Sequence, residues 1–261
     1  MRFLLPVTLF FLPLILFAQT QQIPAPPDVA APPADATKTK SGLATKEIKP
    51  GSGQERPGKD DVVTLNYNAW STDGKLVTST SASGKPATIL VKHLLPGLEE
   101  GVQLMTVGET RRMWVPESLG FKGQQGKPKG TLVFDVTLLE VPTHAPADVK
   151  KPPEDAVKTH SGLAYKVLRE GTGTRHPTRL STVTVNYTGW TTDGKMFDSS
   201  LTRGAPSTFP LDHVIAGWTE GLQLMTEGEK ARFWIPQDLA YKGNQPPYGM
   251  LVFDIELVSV Q

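Results

Sequence analysis

The chain contains one unit written twice. "SGLATKEIKPGSG" beginning at Ser41 returns as "SGLAYKVLREGTG" at Ser161, 120 positions later. The same offset relates Tyr67 to Tyr187, Trp70 to Trp190, Gly97 to Gly217 and Trp114 to Trp234. Between "GLEEGVQLMTVG" (97–108) and "GWTEGLQLMTEG" (217–228), eight of twelve positions are identical. The register slips by one only after Phe121 and Tyr241, where "KGQQGKPKGTLVFD" is a residue longer than "KGNQPPYGMLVFD". Solenoid repeats are much shorter than this period, so the repeat means two tandem domains. A length of 261 residues accommodates both. The domains read as 41–142 and 161–261, with 19–40 and 143–160 between and before them. These leaders also correspond, "DVAAPPADATKT" to "DVKKPPEDAVKT". Rich in Pro, Ala and charge, they read as extended, solvated linkers.

Each unit has the pattern of an α+β fold, an antiparallel sheet around one short helix. "STVTVNYTGW" alternates small or polar residues with valine and aromatic, as a half-buried strand does. Asp193-Gly194 marks a hairpin into "KMFDSS". "KARFWIP" and "MLVFDIELVSV" supply two further strands, and the second closes the domain. In "IAGWTEGLQLMTEG", Trp218, Leu222 and Met225 fall on one helical face, at i, i+4 and i+7.

Composition excludes several functions. The 27 Lys+Arg nearly balance 26 Asp+Glu, and neither half carries the basic excess of a nucleic-acid binder. With no cysteine, disulfides, thiol chemistry and Cys-based zinc sites are excluded. The five histidines are scattered, and His93 and His213 read as surface or turn residues although they align between copies. No metal site, phosphate loop, dinucleotide fingerprint or hydrolytic triad is present, and no cofactor is implied. Asn186-Tyr187-Thr188 fits a glycosylation pattern but sits within a strand, where it reads as a false positive.

At the N-terminus, Arg2 precedes an apolar run from Phe3 to Ala18. This run is shorter than the roughly 20 residues of a membrane span and contains Pro6 and Pro13. Residues 1–18 therefore read as a signal peptide rather than a stable span, and the protein as exported, to the periplasm or beyond.

The copies differ where chemistry is plausible. Phe197, Asp198, Phe209, Trp218 and Tyr241 of the second face Val77, Thr78, Ile89, Leu98 and Phe121 of the first. If both copies fold, these residues are not all needed for folding. At this point the second unit resembles the FK506-binding-protein (FKBP) family of peptidyl-prolyl cis–trans isomerases. "VNYTGWTTDGKMFDSS", "VIAGWTEGLQLMTEGEKARFWIP" and "LVFDIELV" carry the resemblance in order and spacing. It covers Ser161 to Gln261, and at lower fidelity Ser41 to Val141.

The resemblance implies a half-wrapped antiparallel sheet around a short helix and a proline pocket on it. Trp218 would form the floor, with Tyr187, Phe197 and Phe253 as walls. Asp198 would accept from the Tyr187 hydroxyl, and the Ile215 N–H and Tyr241 hydroxyl would donate to substrate carbonyls. Val214 and Phe209 would complete the binding surface. Proline-containing unfolded or partly folded chains, and FK506- or rapamycin-like macrolides, are the implied ligands. Two departures from the family are visible: the loop between Tyr241 and Phe253 is short, and Ser207 replaces a frequent aromatic. The second unit thus reads as an isomerase that assists exported proteins, and the first as a degenerate binding or chaperone-like module. A non-catalytic peptide-binding chaperone and a two-domain envelope adaptor remain as alternative readings.

Overall fold

The computed structural model describes residues 23–261. The segment read as a signal peptide, 1–18, lies outside the described residues, within which no helix is long and apolar enough to cross a membrane.

The first sheet is built from β1 (Thr37–Lys38), β2 (Ala44–Lys49), β3 (Val62–Ser71), β4 (Leu76–Ser79), β5 (Ala87–Leu90), β6 (Thr110–Val115) and β7 (Leu132–Glu140). The second repeats it with β8 (Val157–Lys158), β9 (Ala164–Arg169), β10 (Thr182–Thr191), β11 (Met196–Ser199), β12 (Ser207–Pro210), β13 (Lys230–Ile235) and β14 (Leu251–Val260). Each is a seven-stranded antiparallel sheet, the second in the order β11-β10-β14-β13-β9-β8, with β12 on the free side of β10. Sequence alternation located the long strands β10, β13 and β14. The short strands β8 and β12 carry too few residues to show a period of two.

One helix packs inside each sheet, α2 (Pro96–Val102) and α3 (Ala216–Leu222). A seven-residue helix cannot sustain itself in water, so packing has to hold it. Trp218 and Leu222 are buried against β13 and β14. The contact is close: a Cβ at Gly221 would stand 2.6 Å from Phe233. Met225, expected on the helix face, lies in the turn beyond it and is still buried. The first domain adds a one-turn helix, α1 (Thr80–Ser83), where the second has a 3-10 turn at Leu201–Arg203.

The leaders are not free linkers: each lies against the outer face of a sheet, although many of its residues stay exposed. Trp190 and Trp234 point to the outer face of the second sheet, opposite the core residues Tyr187 and Phe233, and 143–156 lies across them. The Trp190 indole donates to the Thr143 carbonyl at 3.1 Å, and that of Trp234 to the Asp148 carbonyl at 3.0 Å. Val149 is buried among Trp190, Trp234 and Val252. Arg232 joins Asp254 and the leader's Asp148. The first domain repeats the arrangement, with Trp70 and Trp114 donating to the Ile23 and Asp28 carbonyls. Two large indoles on an outer sheet face require cover, and a Pro-rich strap supplies it without needing a partner strand.

Candidate active site

Six pieces of the second domain converge on one cavity of about 260 Å³. β10 contributes Tyr187, β11 contributes Phe197 and Asp198, and β12 contributes Phe209. Val214 and Ile215 enter α3, Trp218 lies on it, Tyr241 follows β13, and Phe253 is on β14. All nine residues singled out in the sequence line the cavity. So does His213, read from sequence as an ordinary surface residue; its side chain is 74% exposed, which places it at the rim.

Trp218 is the centre of an aromatic cluster. Its ring meets those of Tyr187, Phe253 and Phe209 at 5.0, 5.3 and 5.7 Å, each near perpendicular. Phe197 in turn stands edge-on to Phe253 at 5.4 Å. Edge-to-face pairs of this kind contribute about 0.5–1.5 kcal/mol each beyond area burial, so the walls brace one another. Among the described residues the Trp218 Nε1 is buried without a hydrogen-bond partner, a cost of about 1–3 kcal/mol that the Leu98 of the first domain does not incur.

The polar side of the cavity is a three-residue network. The Tyr187 hydroxyl donates to Asp198 Oδ2 at 2.5 Å, the contact implied by the family resemblance. Arg203 donates to Asp198 Oδ1 at 2.5 Å and to the Tyr187 oxygen at 2.8 Å. Its guanidinium also lies 5.5 Å from the Tyr187 ring centroid and reaches Ser207 Oγ at 3.3 Å. The small side chain at 207 therefore does more than open a wall. Arg203 is the residue sequence reasoning missed, because an exposed loop arginine has no periodicity to mark it. A signal did exist: the position matching Arg203 in the first copy is Ser83, so Asp198 and Arg203 are both absent there.

Burial pushes the Tyr187 hydroxyl up to about 12, reinforced by its bond to Asp198 and opposed by Arg203. Burial also pushes the Asp198 carboxyl upward, but the bonds from Tyr187 and Arg203 outweigh it and hold the group below its ordinary value. Tyr241 is raised by burial and by the Asp198 charge. At neutral pH the cavity thus presents an ionised carboxylate and two protonated phenols. Among the described residues, the Ile215 N–H at the head of α3 has no acceptor in the protein, and no group of His, Asp or Glu could hold a metal ion. This arrangement can grip an apolar ring and donate hydrogen bonds at its edge.

Residues 53–139 and 173–258 each match the family described as FKBP-type peptidyl-prolyl cis-trans isomerase. The chain belongs to this family. It is 49% identical over 119 residues to the FKBP-type peptidyl-prolyl cis-trans isomerase FkpA of Aeromonas hydrophila, covering 44% of this chain and 43% of that protein. It is 49% identical over 112 residues to the macrophage infectivity potentiator of Trypanosoma cruzi, covering 41% of this chain and 57% of that one. Crystalline FkpA from Escherichia coli matches at 45% identity with a TM-score of 0.40, over 42% of this chain and 53% of that chain. The chain spans about half the length of the curated relatives it matches. Of the residues that line the cavity, Tyr187, His213 and Phe253 recur in the first copy as Tyr67, His93 and Phe134, while the other seven differ.

Proposed function

We propose that the protein is a peptidyl-prolyl cis–trans isomerase whose activity resides in the second domain. The observation that carries this reading is the convergence of Trp218, Tyr187, Phe197, Phe253, Asp198 and Tyr241 on one cavity. Rotating an X-Pro bond breaks amide resonance against a barrier of about 18–20 kcal/mol, and proceeds unaided in tens to hundreds of seconds. No covalent intermediate or proton transfer is required. The Trp218 face and its aromatic walls hold the proline ring, while Ile215 N–H and the Tyr241 hydroxyl fix the flanking carbonyls. Interactions that favour the twisted amide over either planar form lower the barrier. FK506- and rapamycin-like macrolides would occupy the same apolar surface.

In this reading the substrates are unfolded or partly folded exported chains, supported by the apolar run from Phe3 to Ala18. The first domain keeps the fold with Val77, Thr78, Leu98 and Phe121 at the corresponding positions, which suits a non-catalytic, peptide-holding module. A protease-independent assay on a proline-containing peptide tests the proposal. Acceleration abolished by pocket substitutions supports it, whereas peptide binding without acceleration points to a chaperone. A stable partner whose binding ignores the pocket points to an adaptor.

A further inference from the structure

Between the two domains lies a second cavity, of about 430 Å³, with walls from both. Strand β5 of the first domain meets the Leu201–Arg203 turn of the second there. On the first-domain side are Val62 and Leu90, 1% and 7% exposed although they stand apart from that domain's main apolar cluster. On the other side are Leu201 and Ala205.

The repeat allows each of these positions to be read twice. Val62 and Leu90 correspond to Thr182 and Pro210, half-buried and exposed respectively. Leu201 and Ala205 correspond to Ser81 and Lys85: Leu201 is half-buried where Ser81 is exposed, and Ala205, exposed like Lys85, puts a small apolar side chain where the first copy has a charged one. The interdomain ion pair, Lys230 to Glu140 at 2.6 Å, corresponds to Thr110 and Ser259. At five of the six positions the apolar or paired residue occurs only in the copy where it faces the other domain; at the sixth, the counterpart of buried Leu90 is the exposed Pro210. One fold thus carries two different surfaces, matched to each other, and this marks a built interface.

The turn at this interface has two faces. Leu201 and Ala205 line the interdomain cavity, while Arg203 reaches the other way to Asp198 and Tyr187. The turn's own bonds are local: Arg203 N–H bonds the Ser200 carbonyl, Gly204 N–H the Leu201 carbonyl, Leu201 N–H the Ser199 hydroxyl, and the Thr202 hydroxyl the Ser199 carbonyl. We propose that the first domain is a positioning element for the second domain's pocket, holding the Leu201–Pro206 turn so that Arg203 stays on Asp198 and Tyr187. The degenerate copy then has a role in catalysis without a working pocket of its own. The kinetic part of this inference rests on the isomerase reading; the mechanical part does not.

The test uses the full chain with Leu90→Ala, a change outside the pocket, and separately Leu201→Ser, which installs the first copy's residue. Hydrogen exchange at the Arg203 and Gly204 amides should quicken by about five-fold or more in each, the lower end of ordinary site-to-site coupling. The kcat/KM for a proline peptide should fall by a similar factor, and not fall further when the same changes are made in Arg203→Ala protein. Unchanged exchange in both folded variants overturns the proposal, as does an equal kinetic loss with and without Arg203. An inactive parent would defeat the isomerase reading alone, because the exchange experiment still decides whether the first domain holds the turn.

Discussion

A Cβ placed on Gly189 would stand 2.8 Å from the Phe197 Cζ, and 2.6 Å from Cε1 of Phe253. The two walls of the pocket therefore close over a residue that can have no side chain. In the first copy the same positions are Ala69 and Val77, with Phe134 kept in place of Phe253; the smaller Val77 gives that phenylalanine space to stand off the methyl group. Gly189→Ala should destabilise the second domain by about 1–3 kcal/mol, as overpacking does, and lower isomerase turnover. Adding Phe197→Val should restore the melting temperature but not the turnover. A double-mutant cycle on thermal unfolding checks this; two additive losses would show that the residues do not compete for space.

The Tyr187–Asp198–Arg203 network has a defined pH window. The Asp198 carboxyl sits below its ordinary 3.8, so its contribution to stability is complete above that value and disappears as pH falls through the lower folded one. The Tyr187 hydroxyl is raised from 10.0 to about 12, so its contribution is complete below 10.0 and is lost as pH rises toward 12. Turnover and stability attributable to this network should be flat across the neutral range. A pH–rate profile measures it. A steep step near neutrality would indicate general acid–base work and contradict this account.

The strap is expected to belong to the folded unit. Asp148 gives its carbonyl to Trp234 and its carboxylate to Arg232. Asp148→Ala keeps the carbonyl and leaves Arg232 paired with Asp254, so its cost should stay within about 1.5–3 kcal/mol, the range of a hydrogen bond to a charged group. Removing residues 143–160 should cost considerably more, since both indoles lose their acceptors and their cover. Thermal unfolding of the two proteins distinguishes these outcomes; equal melting temperatures would return the leader to the status of a linker.

Much of this was legible in the sequence, for identifiable reasons. The long strands show alternation because one face of each sheet is buried, and the repeat allowed every pocket residue to be compared with a relative inside the same chain. The aromatic residues of the pocket stood out because Trp218 and Phe197 are replaced by smaller residues in a copy that folds. The strap was misread because its composition suits a linker. The informative residues were instead Trp190 and Trp234, large aromatics on the outward phase of their strands, whose need for cover is a tertiary matter. Arg203 was missed for a related reason: a long side chain in a turn can reach in many directions, and local sequence does not choose among them. The interdomain surfaces were likewise hidden, since Val62 and Leu90 look like ordinary strand residues until their neighbours are known.

The central claim is that the pocket of the second domain, and not that of the first, carries the activity. It is tested most directly by giving the second pocket the first one's residues within the full chain: Phe197→Val, Asp198→Thr, Trp218→Leu and Tyr241→Phe together. Each substitution is one the first copy already accommodates, and Trp218→Leu also removes a buried, unpartnered N–H, so the fold should be retained. Residues acting as a unit do not lose activity additively, and the measurement is kcat/KM on a proline-containing peptide beside the parent protein. The expected result is isomerisation indistinguishable from the uncatalysed rate in a protein with parental circular dichroism. Substantial acceleration by that folded protein would contradict the assignment.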